Sequence, residues 1–285
     1  MAKPRLITIA EINISMHAPH SPDGYADLFR KVYRAQRVVS LGKLHGAMIG
    51  SMYGQNLRTL PATFTGEIYR FVNIDPSNPW FNTRTQKAAT EDDVEEVNIP
   101  EHLRPHLQRI PFAFNLKRHR LYFVARDRGN SLGVSTAVTL FRKLFERFTA
   151  DGTFPTINVT AIPEANSLED IFAIAHLETL VIDLVRPNPD DGEDDEARFL
   201  KKLERQNSRR IRTTLLHESG KSLKPDSDTK SLAKVASANG KVVGIGKDAA
   251  GDKVEESTSD RPALHRDRVD ENVETTMDVL NRYAS

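Results

Sequence analysis

The sequence predicts an α+β protein: mixed or antiparallel sheets with packed helices, ferredoxin-like elements and two subdomains. Three observations carry this prediction. A β-branched run at 6–14 is followed by helical spacing from residue 23 and then by two more apolar runs, at 44–49 and 64–74. A strong amphipathic stripe (Ala137, Phe141, Leu144, Phe145, Phe148) falls at 135–149. The charge is divided between the halves. Residues 1–150 hold 21 Lys and Arg against 13 Asp and Glu (+8), and residues 151–285 hold 19 against 26 (−7).

The first strand, 6–14, is rich in isoleucine and partly alternating. The following helix places Tyr25, Leu28, Phe29 and Val32 on one face and Arg30, Lys31, Arg34 and Arg37 on the other. The β-α-β-β order suits helices packed on an antiparallel sheet. Residues 75–108 read as an insertion, with a turn-forming 75–79 segment and a solvated acidic loop at 91–96. Strands at 110–116 and 120–126 flank a tight basic turn at Lys117, Arg118 and His119, and a loop follows at 128–131.

The second half continues with a strand at 156–162 and a short helix capped by Ser167 with Asp170 three residues on. Next come a central strand at 177–185 and a charged helix at 192–206. A strand at 210–217 is followed by a helix at 228–238, stopped at Asn239-Gly240. A hairpin spans 241–258 and a charged tail runs from 260, ending in a short helix. The expected organisation is a basic α+β subdomain over 1–150 (75–108 inserted), an acidic α/β subdomain over 151–259, and a charged tail over 260–285.

Composition narrows the function classes. The 285 residues contain no cysteine, which excludes disulfides, thiolate metal sites and a thiol nucleophile. The N-terminus lacks a signal-peptide pattern, and no apolar run of about 18 residues offers a membrane span. The expected location is therefore the cytoplasm, with no direct membrane insertion.

No motif carries recognisable catalytic chemistry, and no cofactor or metal is expected. The run Asp190, Asp191, Glu193, Asp194, Asp195, Glu196 invites a magnesium reading. It falls at a helix start, however, where backbone N–H groups favour negative charge, and consecutive carboxylates splay around a helix. His17 and His20 flank a proline in a loop. His102 and His106 are four apart, as on one face of a zinc-binding helix, but Pro105 lies between them and no glutamate stands in the metalloprotease arrangement, so both pairs read as surface loops. Gly251 is followed by Asp252, which repels phosphate, so 246–253 is a hairpin turn rather than a phosphate loop.

The basic residues are the stronger lead. Lys117, Arg118, His119, Arg120, Arg126 and Arg128 cluster on one hairpin and its following loop. If they align with Arg30, Lys31, Arg34 and Arg37, they form a phosphate-binding stripe without base-reading specificity. Trp80-Phe81 reads as a plug against the core or as an anchor for a partner chain.

Three segments resemble an uncharacterised bacterial family known only as a domain of unknown function and linked to phage defence. They are Gly66-Glu67-Ile68-Tyr69-Arg70-Phe71 with Trp80-Phe81-Asn82, Arg120-Leu121-Tyr122-Phe123 with Asp127-Arg128-Gly129-Asn130-Ser131-Leu132, and Arg186-Pro187-Asn188-Pro189-Asp190-Asp191. The C-terminal plan, with its Glu218–Lys221 turn, also resembles the RexA family of phage-exclusion proteins. That resemblance implies a homodimeric DNA binder acting with a membrane-protein partner encoded nearby. The expected function is therefore non-sequence-specific nucleic-acid binding in phage exclusion, to DNA with RNA as the alternative. A metal-dependent nuclease or RNA-cleaving toxin, and a protein-interaction subunit, are the rival readings.

Overall fold

The computed structural model describes residues 4–17, 21–54, 61–74, 78–95, 97, 99–100, 102–187 and 194–285. His20 and the Asp190, Asp191 and Glu193 part of the acidic run lie outside the described residues. The seven helices and fifteen strands among the described residues form an α+β fold with antiparallel sheets.

The large sheet starts with β1 (Arg5–Met16), whose apolar phase shifts between Ile9 and Ala10, so Ile7 and Ile9 are buried on one face and Ala10, Ile12 and Ile14 on the other. α1 (Pro22–Arg34) follows. The Ser21 hydroxyl accepts from the Gly24 N–H at 3.0 Å, and Pro22 sits in the first turn, where no N–H is needed. Next come β2 (Val39–Leu41), β3 (His45–Met52) and β4 (Thr63–Val72), then the small hairpin β5 (Phe81–Asn82) and β6 (Lys87–Ala88). The acidic run expected as a loop forms a short helix, α2 (Glu91–Glu95), with no buried residue. The Asp93 carboxylate accepts from the Thr90 N–H at 2.9 Å and from Asn82 Nδ2. β7 (Gln108–Asn115), β8 (Arg120–Asp127), β9 (Asn130–Ser131), α3 (Val134–Ala150) and β10 (Ile157–Ala161) complete this stretch.

The strands run in the order β10-β1-β8-β7-β4-β3-β2. α1 and α3 cover one face, over a core containing Ile12, Ile14, Phe29, Phe64, Phe112, Phe114, Phe141 and Phe145. The opposite face is covered from the far end of the chain. β15 (Leu264–Val269) pairs with the first half of β1, while β10 pairs with its second half. α7 (Thr276–Ala284) lays Val279, Leu280 and Ala284 over Ile7, Ile9, Ala113, Tyr122 and Val124. A capping box between Thr275 and Asp278 starts α7. Its hydrogen bonds, from the Thr275 side chain first and backbone second, hold the Asp278 carboxyl below the usual carboxylate range.

The smaller sheet has the order β12-β11-β13-β14, antiparallel throughout. It contains β11 (His176–Val185), β12 (Arg210–Leu216), β13 (Gly240–Lys247) and β14 (Lys253–Ser257). α4 (Ser167–Phe172), α5 (Asp194–Arg205) and α6 (Ser227–Ala238) bury Ile171, Phe199, Leu203, Ala233 and Ala236 against Leu180, Ile182, Leu184 and Val242.

Two sequence readings in this half are corrected. Ser167 is the first helical residue rather than the cap, and its hydroxyl donates back to the Glu164 carbonyl at 2.8 Å. Gly240 does not end α6 as a left-handed stop. It begins β13, where a Cβ would sit 1.9 Å from the Asp183 carbonyl oxygen, so close strand approach is what requires glycine there. The 241–258 hairpin is observed. Asp248 closes its turn by accepting from the Ala250 and Asp252 N–H groups, and Gly251 takes φ +92°.

Candidate functional site

The two sheets meet through a polar seam. On β1, alternation sends Ile12 and Ile14 to the α1 side and Glu11 and Asn13 to the α7 side. Asn13 is buried and donates from Nδ2 to Asn239 Oδ1 at 3.0 Å. Asn239, at the end of α6, donates in turn to Glu196 Oε1 of α5 at 2.9 Å. Thr160 of β10 donates to the Ala238 carbonyl at 3.0 Å. These bonds hold the C-terminal end of α6 beside the β7–β8 turn.

That turn is built by Asn115, whose side-chain oxygen accepts from the N–H groups of both Lys117 and Arg118 at 2.8 Å. His119 then takes φ +57°, which sends its ring inward. The imidazole is fully buried and stacks on Tyr25 of α1, with centroids 4.6 Å apart. His119 therefore cannot join a nucleic-acid surface, as the basic turn had suggested. Its role is to anchor the turn against α1.

Arg118 and Arg120 emerge from the anchored turn into a cleft of about 340 Å³, facing Glu196, Lys234 and Ser237. Arg120 Nη1 and Asn13 Oδ1, from cross-strand neighbours, are buried without a hydrogen-bond partner among the described residues. Arg120 also lines the cleft beside Arg118, and two guanidinium groups on one wall favour an anion there. Nearby, Tyr122 faces Glu11 across the strands. Burial first, and the Glu11 carboxylate second, raise its phenol above the ordinary range, against the opposing pull of Arg120 and Arg118.

A second cleft, of about 580 Å³, adjoins the first and shares Lys234, Ser237 and Ala238 with it. α6 is the common floor. Its Asp226 cap accepts from the Thr229 N–H at 2.8 Å, and its packing turns Lys230 and Lys234 outward, one helical turn apart. The far wall is the connection from β10 into α4, including Pro163, Leu168 and Phe172.

The remaining predicted site residues lie elsewhere. Arg30, Lys31, Arg34 and Arg37 belong to α1 or the loop after it, across the large sheet from Arg120, so the two basic faces do not form one stripe. Arg30 lies 3.6 Å from Asp27, Lys31 sits over the Phe154 ring at 5.0 Å, and Arg37 donates to the Lys143 carbonyl. Arg34 and Lys117 are exposed. Arg126 and Arg128 lie at the other end of β8, about 20 Å from Arg120 at ~3.3 Å per residue, and Arg128 is paired with Glu271 at 2.7 Å.

Trp80 is half-buried and Phe81 is 65% exposed on the β5–β6 hairpin, so the pair is not a core plug. Sequence reasoning missed Lys230, Lys234, Asn239 and Phe172, and weighed Glu196 only as part of the acidic run at a helix start. The i, i+4 spacing of the two lysines was the one available signal. His102 and His106 are both exposed, and His106 has φ +58°, so no helix joins them. Among the described residues, no three acidic or histidine side chains come together as metal ligands, and no helix is long and apolar enough to cross a membrane.

No curated protein matches this chain. The profile of one family, DUF4747, a domain of unknown function, matches residues 5–285, nearly the whole length and both sheets. The chain belongs to the DUF4747 family.

Proposed function

We propose that this protein binds the phosphate backbone of nucleic acid in the cleft between its two sheets, through Arg118, Arg120 and Lys234. The observation that carries this reading is the convergence of these three cations on one cleft, Arg118 and Arg120 from the β7–β8 hairpin and Lys234 from α6. Guanidinium groups match phosphate oxygens in geometry as well as charge. The resemblance to phage-exclusion proteins supports a setting in phage defence, with a membrane-protein partner encoded nearby.

The test is fluorescence anisotropy with labelled single-stranded DNA, duplex DNA and RNA across a salt titration. Log affinity should fall linearly with log salt, with a slope of about −2 for three contacts on a single strand. Salt-independent binding, or none at low salt, would remove the reading.

A second copy of the chain is part of the same proposal. β12 is an edge strand, and its Leu216 is 72% exposed. Pairing two β12 strands antiparallel about Thr213 sets Arg210 against Leu216, Ile211 against Leu215 and Arg212 against Thr214. No like charges then face each other, and Asp183 already neutralises Arg210. Leu216→Lys should weaken self-association about tenfold, from the apolar area it withdraws. Sedimentation over a concentration series would read this, and an unchanged monomer–dimer balance would exclude the β12 interface.

A further inference from the structure

We infer that the groove along α6 takes an unpaired nucleotide of a single strand, with its phosphate at Arg118 and Arg120 and its base in the apolar half formed by Pro163, Leu168 and Phe172. This deepens the phosphate-binding reading and rests on it.

The two clefts share Lys234, Ser237 and Ala238, so they adjoin along α6 and present chemically different ends. At one end stand Arg118 and Arg120. At the other, Phe172 and Leu168 are only partly buried by the small-sheet core and leave apolar surface toward the groove, with Glu164 and Glu169 alongside. A phosphate is drawn to the arginine end, where three cations face Glu196, more than to the other end, where Glu164 and Glu169 balance Lys230 and Lys234. An apolar, planar group has the opposite preference. A ligand carrying both, joined over about the 10 Å that α6 spans from Lys230 to Ser237, lies along the groove in one direction only.

A nucleotide with a free base has this form. A duplex does not, because its base faces are stacked inside. Aromatic platforms beside a cationic track are how single strands are held without sequence reading. Lys230 lies 5.9 Å over the Phe172 ring. It is a flexible cation whose head can swing to the strand's next phosphate when a base takes its place. The two carboxylates accept hydrogen bonds, so a base with an exocyclic amine fits better than thymine or uracil.

The test compares anisotropy titrations of the full chain with four labelled probes at one low salt concentration: oligo-dC, oligo-dT, an abasic strand of equal length, and a duplex. Oligo-dC should bind about tenfold more tightly than the abasic strand and the duplex, with oligo-dT between. Phe172→Ala should bring oligo-dC down to the abasic level without changing the abasic affinity. If Phe172→Ala does not fold, the wild-type comparison of oligo-dC with the abasic strand decides.

Equal affinity for oligo-dC and the abasic strand, or tightest binding to the duplex, overturns the base site and leaves the phosphate reading standing. Binding of none of the four overturns both.

Discussion

Phe29→Ala should lower the unfolding free energy by about 3–5 kcal/mol, the range typical of a buried phenylalanine removed from a core. Phe29 is fully buried, and its ring lies within 4.8–6.2 Å of Phe64, Phe112, Phe114, Phe141 and Phe145. Those five partners come from β4, β7 and α3, so one α1 side chain ties three other elements together. Each aromatic pair adds about 0.5–1.5 kcal/mol beyond its buried area, and close packing keeps the cavity from collapsing cheaply. Domains of this kind are stable by only about 5–15 kcal/mol, so the loss removes a large share. Phe29→Leu, which keeps most of the apolar bulk, should cost about 1–2 kcal/mol. Urea unfolding monitored by the single tryptophan reads both, with an unchanged m-value expected. A loss below about 1 kcal/mol would mean that the neighbouring rings close the gap. The consequence reaches the site, because α1 also carries Tyr25, against which His119 holds the β7–β8 turn.

The large-sheet strands β1, β4, β7 and β8 and the helices α1 and α3 were legible because apolar spacing in each matches its own secondary structure and no distant partner is needed to see it. β15 was not. Its sequence, Leu264-His265-Arg266-Asp267-Arg268-Val269, shows no apolar alternation. It is a strand because the N-terminal half of β1, some 255 residues away, offers a backbone edge, a long-range pairing that local propensity does not encode.

The site divides along the same line. Arg118 and Arg120 stood out as neighbours in sequence. Lys234 and Phe172 join them through the long-range seam at the end of α6, which includes the Asn13–Asn239 and Thr160–Ala238 hydrogen bonds. His119 misled because its charge type matched its neighbours', while its left-handed backbone turned it into the core. The α1 cations misled differently. Helical spacing placed Lys31 and Arg34 on an exposed face, while Arg30 and Arg37 are partly buried, and nothing in that spacing tells which side of the sheet the helix covers.

The paired substitution Arg118→Glu with Arg120→Glu should weaken single-strand binding by at least about a hundredfold at low salt, since it removes two phosphate contacts and adds two repelling charges at the same place. The salt slope should fall in magnitude by about 1.4, two contacts at ~0.7 each. Arg118 is exposed and tolerates the change. Arg120 is partly buried, so Arg120→Gln, which keeps a hydrogen-bond donor without the charge, guards against a folding defect and should still cost about tenfold. The control is Lys31→Glu with Arg34→Glu on α1, both exposed and across the sheet. The same change in net charge there should alter affinity by no more than about twofold, because exposed charges separated by more than a Debye length of roughly 10 Å are largely screened. Equal losses from the two pairs would mean that overall charge, not the cleft, governs binding. A larger loss from the α1 pair would move the site to the other face of the large sheet.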